Sequence, residues 1–121
     1  MSLLIWPGVV LIGGAGSVLR FLVDGLISAR SSGRFPLGTL AVNLSGAVIL
    51  GLLSGLVLSP SAALLGGTAA VGSYTTFSTW MFETERLAEE RERGRAAANV
   101  IVSLVLGVAA AELGRLIGGH I

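Results

Sequence analysis

Cysteine and lysine are both missing from this chain, and charge of either sign is scarce. Without cysteine there is no disulfide framework, no thiolate metal site and no clue to redox compartment. Without lysine, all eight basic residues are arginine, and they form no basic patch suited to nucleic acid. Charged side chains make up 12% of the residues, about half the roughly 25% of a soluble domain. The formal net charge of +1 gives an acidic partner nothing to recognise. Long alternating runs are absent as well, and that argues against the strands of a membrane barrel.

What fills the chain instead is apolar sequence in blocks. The mean hydropathy is +0.86, and the apolar residues gather at 3–28, 36–58, 62–82 and 96–117. A bilayer core of about 30 Å takes about 20 helical residues, so each block is long enough to cross. Four spans could not close a barrel, and helices satisfy their own backbone in lipid. The expected architecture is an all-α, four-helix membrane unit over residues 1–121, multi-pass, with lipid as its solvent. The first block lacks a basic start, which argues against a cleaved signal peptide. Glycine, at 18 residues, is about twice its usual share of roughly 7%. Small residues let helix backbones approach in lipid, and Gly51-Leu-Leu-Ser-Gly55 is a pair of that kind.

Local signals divide the chain. Trp6-Pro7 opens the first helix, with an indole suited to the interface and a proline tolerated in a first turn. Ser31-Ser32-Gly33 reads as a loop, Pro36 starts the second helix, and Ser59-Pro60-Ser61 is a tight turn into the third. The segment 83–95, ETERLAEERERGR, is the one strongly charged stretch. It reads as a solvated helical extension broken near Gly94, with Glu89 and Arg93 four apart in the favourable order for a helix pair.

Polar residues inside the blocks carry the functional signal, because polar groups in hydrocarbon need partners. Arg20 lies about two turns inside the first block, with Asp24 one turn on. It either snorkels to the headgroups or serves as a buried cation at an anion entrance. Asn43, one turn after Thr39, sits in an uncharged helix as interhelical glue or as a ligand. Asn99, Ser103 and Gly107 recur every four residues, so they share one stripe that either packs or lines a path.

The densest cluster is Gly72–Trp80, GSYTTFSTW, where six of nine residues bear a hydroxyl. Back-bonding to carbonyls one turn earlier would satisfy two or three of them in a continuous helix. Six, beside Gly66-Gly67 and Gly72, point to a helix interrupted mid-membrane. Irregular backbone at that depth survives where protein buries it or a watery cavity lines it. A break frees carbonyls for a hard cation such as Na⁺ and leaves hydroxyls as anion donors. Phe77 and Trp80, three apart, share a helix face, and ring edges carry positive charge.

These residues resemble the Fluc fluoride channels, also called CrcB proteins. The matching features are GGAGSVLRF in the first helix, PLGTLAVNLSG opening the second, TTFST in the third and N-x3-S-x3-G in the fourth. They occur in order and cover nearly the whole chain. The resemblance implies a dimer of two antiparallel subunits, with two fluoride pathways along their interface. It further implies that Asn43 and Phe77 line the pathway, with Trp80 at the second ring position. Thr76, Ser78 and Thr79 would be neighbouring donors, Asn99 and Ser103 a polar track, and Arg20 the arginine near the mouth. A structural Na⁺ at the dimer centre would take backbone carbonyls from Gly72 and Thr75 of both subunits.

There are departures from the family pattern. The second ring, usually phenylalanine, is Trp80; a serine, Ser73, follows Gly72 where a second glycine is usual; and Gly107 lacks a hydroxyl. The expected function is passive fluoride exit through a bacterial plasma (inner) membrane, without catalysis. Two other readings stay open. A small multidrug transporter would need a membrane-embedded carboxylate, for which the first helix offers only Asp24 near its end. A non-conducting structural subunit would need only the glycine packing. The arginines are also lopsided: the 29–35 and 83–95 loops hold six, and the opposite side holds only Arg115. Cytoplasmic loops carry the arginine excess, so the bias favours both loops inside and both termini outside. An antiparallel homodimer is the default, and a homologous subunit inserted the other way up is the alternative partner.

Overall fold

The computed structural model describes residues 3–31 and 35–121, so the loop expected at Ser31-Ser32-Gly33 lies largely outside the described residues. Every element within them is helical. In chain order they are α1 (Ile5–Ala29), α2 (Leu37–Gly55), α3 (Pro60–Ala63), a π-helix (Leu64–Val71), α4 (Gly72–Tyr74), α5 (Ser78–Glu89) and α6 (Arg93–Gly119). Three of these, α1, α2 and α6, are each long and apolar enough to cross a membrane. The third apolar block differs because it is divided. It runs as one helical stretch over 60–74, leaves the helix, and resumes in α5.

The start and stop signals act locally as their chemistry dictates. Ser59 caps α3 by accepting a hydrogen bond from the Ala62 N–H, and Pro60 takes the first turn, where its missing donor costs nothing. Pro36 occupies the cap position of α2. In the π-helix the bonds run five residues back, as from the Gly72 N–H to the Gly67 carbonyl.

The reversal between α5 and α6 departs from expectation. It falls at 90–92 and not at Gly94, which lies inside α6. Arg91 adopts a left-handed φ of 62°, while its N–H donates to Ala88 and the Glu92 N–H donates to Leu87. These two bonds close the helix end as a Schellman turn, with arginine where glycine is usual. Glu89 and Arg93 therefore belong to different helices, and the expected pair is replaced. The ion pairs here are Arg86–Glu90 at 3.7 Å and Arg95–Glu92 at 3.3 Å.

Helices α2 and α6 make the most extensive contact in the molecule, and glycine explains it. A Cβ on Gly51 would stand 2.0 Å from the Ala111 carbonyl oxygen, and one on Gly114 would stand 2.0 Å from that of Val48. Gly55 and Gly118 face the partner backbone in the same way. The small-residue pair read in α2 thus has a counterpart, Gly114-x3-Gly118, on α6. Backbones in direct contact gain dispersion without needing water to drive them together. The third segment packs beside this pair in two directions, its π-helix and α4 mainly on α1 and α5 on α6.

Candidate functional site

The break is built by two residues of opposite character. Thr75 is extended, with φ −81° and ψ 162°, so the Thr76 backbone cannot continue the helix. Asn43 on α2 receives it: the Thr76 N–H donates to Asn43 Oδ1 at 2.8 Å, and Asn43 Nδ2 donates to the Thr76 carbonyl at 2.9 Å. One side-chain amide therefore satisfies both backbone groups that the interruption exposes. Gly46, one turn on, makes room, since a Cβ there would stand 2.2 Å from Thr75 Cγ2. Asn43 is interhelical glue, as one of its two readings held. It also keeps a second amide hydrogen, because Nδ2 carries two and the Thr76 carbonyl takes one.

The hydroxyl cluster divides by role. Ser73 and Thr75 back-bond to carbonyls of the π-helix, Ser73 to Ala69 and Ala70, Thr75 to Val71 at 3.0 Å. Tyr74 shares a bond with Ser45 on α2. Thr76 Oγ1 accepts from the Thr79 N–H at 3.1 Å and so caps the restarting helix α5. Among the described residues, Ser78 Oγ and Thr79 Oγ1 have no hydrogen-bond partner. Because the Thr76 N–H is engaged by Asn43, the Gly72 carbonyl loses the donor that a continuing helix would supply.

Three cavities string along this break and share walls. The first, about 190 Å³, lies between Arg20, Asp24, Thr39, Thr76 and Thr79. The second, about 300 Å³, is walled by Asn43, Thr75, Thr76, Phe77 and Trp80 among others. The third, about 250 Å³, lies between Asn43, Trp80, Ser103 and Gly107. Thr76 joins the first to the second, and Asn43 with Trp80 joins the second to the third. No ionisable side chain lines the second or third. A larger hollow of about 460 Å³ beside α1 is apolar, and its one polar neighbour, Tyr74, is already bonded to Ser45.

Arg20 is better placed for an anion than for Asp24. Its Nε is buried without a partner, and among the described residues it forms no ion pair. Asp24 instead accepts a hydrogen bond from Ser28 at 3.1 Å. Phe77 and Trp80 meet edge to face, centroids 5.8 Å apart at 82°. Phe77 precedes α5 rather than riding on it, and it is 70% exposed.

The fourth-helix stripe splits. Ser103, whose Oγ is buried without a partner, and Gly107 reach the third cavity. Asn99 lines none of the three cavities; it is 1% exposed and bonded to Thr84 and Trp80.

Two residues were missed in the sequence. Thr39 donates to the Glu83 carboxylate, which brings α2 and α5 together. Glu83 is half-buried and no part of a wet surface. It lies one residue beyond the apolar block, and burial pushes its carboxyl above the ordinary range against the pull of the Thr39 hydroxyl. The spacing Trp80, Glu83, Leu87 marks an inward stripe, with Leu87 fully buried, and that periodicity was the available signal.

Known proteins resemble this chain along most of its length. The family model described as CrcB-like protein, Camphor Resistance (CrcB), matches residues 8–115. "Fluoride-specific ion channel FluC 2" of Mycolicibacterium paratuberculosis is 66% identical over 92% of this chain and 91% of its own. The protein of the same name in Mycobacterium tuberculosis is 59% identical over 97% and 93%. "Fluoride-specific ion channel FluC 1" of Rubrobacter xylanophilus is 46% identical over 87% and 86%. With a family model over most of its length and relatives this similar end to end, the chain is a multi-pass membrane protein that belongs to the CrcB, or Fluc, family.

Proposed function

We propose that this chain is a fluoride channel subunit that lets fluoride leave a bacterial cell passively across the plasma membrane, lowering its toxicity inside. The observation that carries this reading is the row of cavities joined at Thr76, Asn43 and Trp80. Fluoride is small and strongly hydrated, so closely spaced donors must replace its shell. The spare Asn43 amide hydrogen, the hydroxyls of Thr79 and Ser103, and the ring edges of Phe77 and Trp80 are such donors, while the exposed Ser78 lines none of the three cavities. None carries a fixed charge that would hold the ion too tightly to leave. Unpaired Arg20 at one end raises the local concentration of anions.

A drug–proton exchanger is disfavoured because the second and third cavities contain no carboxylate, and Asp24, the one beside the first, lies at that end of the row and is bonded to Ser28. A structural subunit would have no use for a buried, unpartnered Ser103 hydroxyl beside a cavity.

The exposed Phe77 ring supports a pathway completed by a second subunit in the opposite orientation. The Gly72 and Thr75 carbonyls at the break are hard oxygen donors, and two copies would offer a small cage. Sodium fits that donor set. Bound there, it would supply a fixed positive charge that holds two breaks together without being transported. Glycine at 72 leaves the surrounding surface open, and Gly72 is exposed.

A second arrangement rests on the arginine bias of six against one. One chain inserted both ways up calls for a near-even count, so a homologous subunit of opposite bias is a rival to the homodimer. A C-terminal reporter active on only one side of the membrane is expected if such a partner exists. Reporter signal from both sides, with fluoride tolerance restored by this chain alone in cells lacking their own exporter, would establish the homodimer instead.

A further inference from the structure

The bonds between α5 and α6 close into a ring whose purpose packing does not explain. The Trp80 indole N–H donates to the Asn99 carbonyl at 3.0 Å. Asn99 Nδ2 donates to Thr84 Oγ1 at 2.8 Å and to the Trp80 carbonyl at 3.4 Å. Thr84 Oγ1 in turn donates to the Trp80 carbonyl at 2.9 Å. Trp80 at the same time walls the second and third cavities. Its only side-chain donor is therefore engaged on α6 and is not free to bond an ion in either cavity.

We propose that Asn99 and Thr84 form a clasp that positions Trp80, keeping its indole N–H out of the anion path. The inference rests on the channel reading above. Added to the Asn43 and hydroxyl donors, an indole N–H aimed at fluoride would make one more charge-assisted bond, about twice as strong as a neutral one. Conduction needs sites weak enough to leave, so a freed indole would slow the ion by holding it. The weakly positive carbon edge attracts without trapping. Asn99 is thus a positioning residue, acting through Trp80 rather than touching the ion.

The test pairs flux with a spectrum. Trp6→Phe leaves Trp80 as the single tryptophan, so the indole N–H marker band in ultraviolet resonance Raman reports its hydrogen bond. In that background Asn99→Ala keeps the backbone carbonyl that accepts the indole N–H but removes the amide holding α5 to α6, so it should lengthen that bond and lower fluoride flux about tenfold, the effect of ~1.4 kcal/mol. Adding Trp80→Phe, which has no N–H to misplace, should restore flux to the level of Trp80→Phe alone. Thr84→Val, a milder change, should shift the band in the same direction and lower flux less. An unchanged band in both Asn99→Ala and Thr84→Val would overturn the clasp. So would a double variant as slow as Asn99→Ala, since a merely structural asparagine would not be rescued. A parent protein with no fluoride flux would overturn the channel reading instead, while the band still decides the clasp.

Discussion

Replacing Phe77 by isoleucine is expected to cut fluoride flux by about thirtyfold or more while leaving the proposed dimer assembled. The ring is 70% exposed in the single chain and walls the second cavity, so little folding energy depends on it. Its one ring contact, the edge-to-face meeting with Trp80, contributes about 1 kcal/mol. The helix restart does not rely on it either, because Thr76 caps α5 and Asn43 holds the Thr76 backbone. What isoleucine removes is the positive ring edge. By analogy with ion–ring contacts in desolvated sites, that is worth ~2 kcal/mol, or about thirtyfold at 1.4 kcal/mol per decade. Flux from liposomes and a sizing column check the two halves. Unaltered flux would remove the ring edge from the mechanism. Asn43 is a different case, since its variants lose both the spare donor and the support of the break, and should impair flux and folding together.

Exchanging Na⁺ for a bulky organic cation such as N-methylglucamine is expected to stop flux and weaken the dimer. The break leaves the Gly72 carbonyl without a helical donor, and once a second subunit buries it, that oxygen needs a partner. An ion bound only in the folded dimer stabilises it by about 2.7 kcal/mol at a hundred times its dissociation constant. Removal should therefore lower the melting temperature in detergent as well as abolish flux. Among the described residues, no cluster of acidic side chains, histidine or cysteine offers a competing metal site. Full flux and an unchanged melting temperature in sodium-free buffer would rule out the ion.

Much of this was legible in the sequence for physical reasons. Apolar blocks must hide in lipid, so 3–28, 36–58 and 96–117 located α1, α2 and α6 to within a few residues, while 62–82 covers several helical pieces, the last of which runs on to Glu89. The hydroxyl cluster was read as a sign of irregular backbone, since back-bonding satisfies only some of six hydroxyls in nine residues; within it, Thr75 is extended between α4 and α5. Partners were not legible. A side-chain amide can satisfy any exposed backbone, and nothing in spacing says that Asn43 meets Thr76 across 33 residues. The Asn99 stripe was read as one face, but its first member is consumed by Trp80 and Thr84 while Ser103 and Gly107 reach a cavity. Glu83 was hidden by its neighbours: a run of charges reads as wet until the inward Trp80, Glu83, Leu87 spacing is noticed. Arg91 misled because its left-handed turn lacks the glycine that signals one, and Gly94 drew the boundary instead.

Fluoride passage along a row of uncharged donors is the proposed activity. It is tested most directly by efflux from liposomes that contain the purified chain, read by a fluoride electrode with valinomycin supplied to balance charge. The account predicts prompt passive fluoride release, far slower chloride release from matched vesicles, and no dependence on a proton gradient. Release no faster than from protein-free vesicles, or equal rates for chloride, would contradict it.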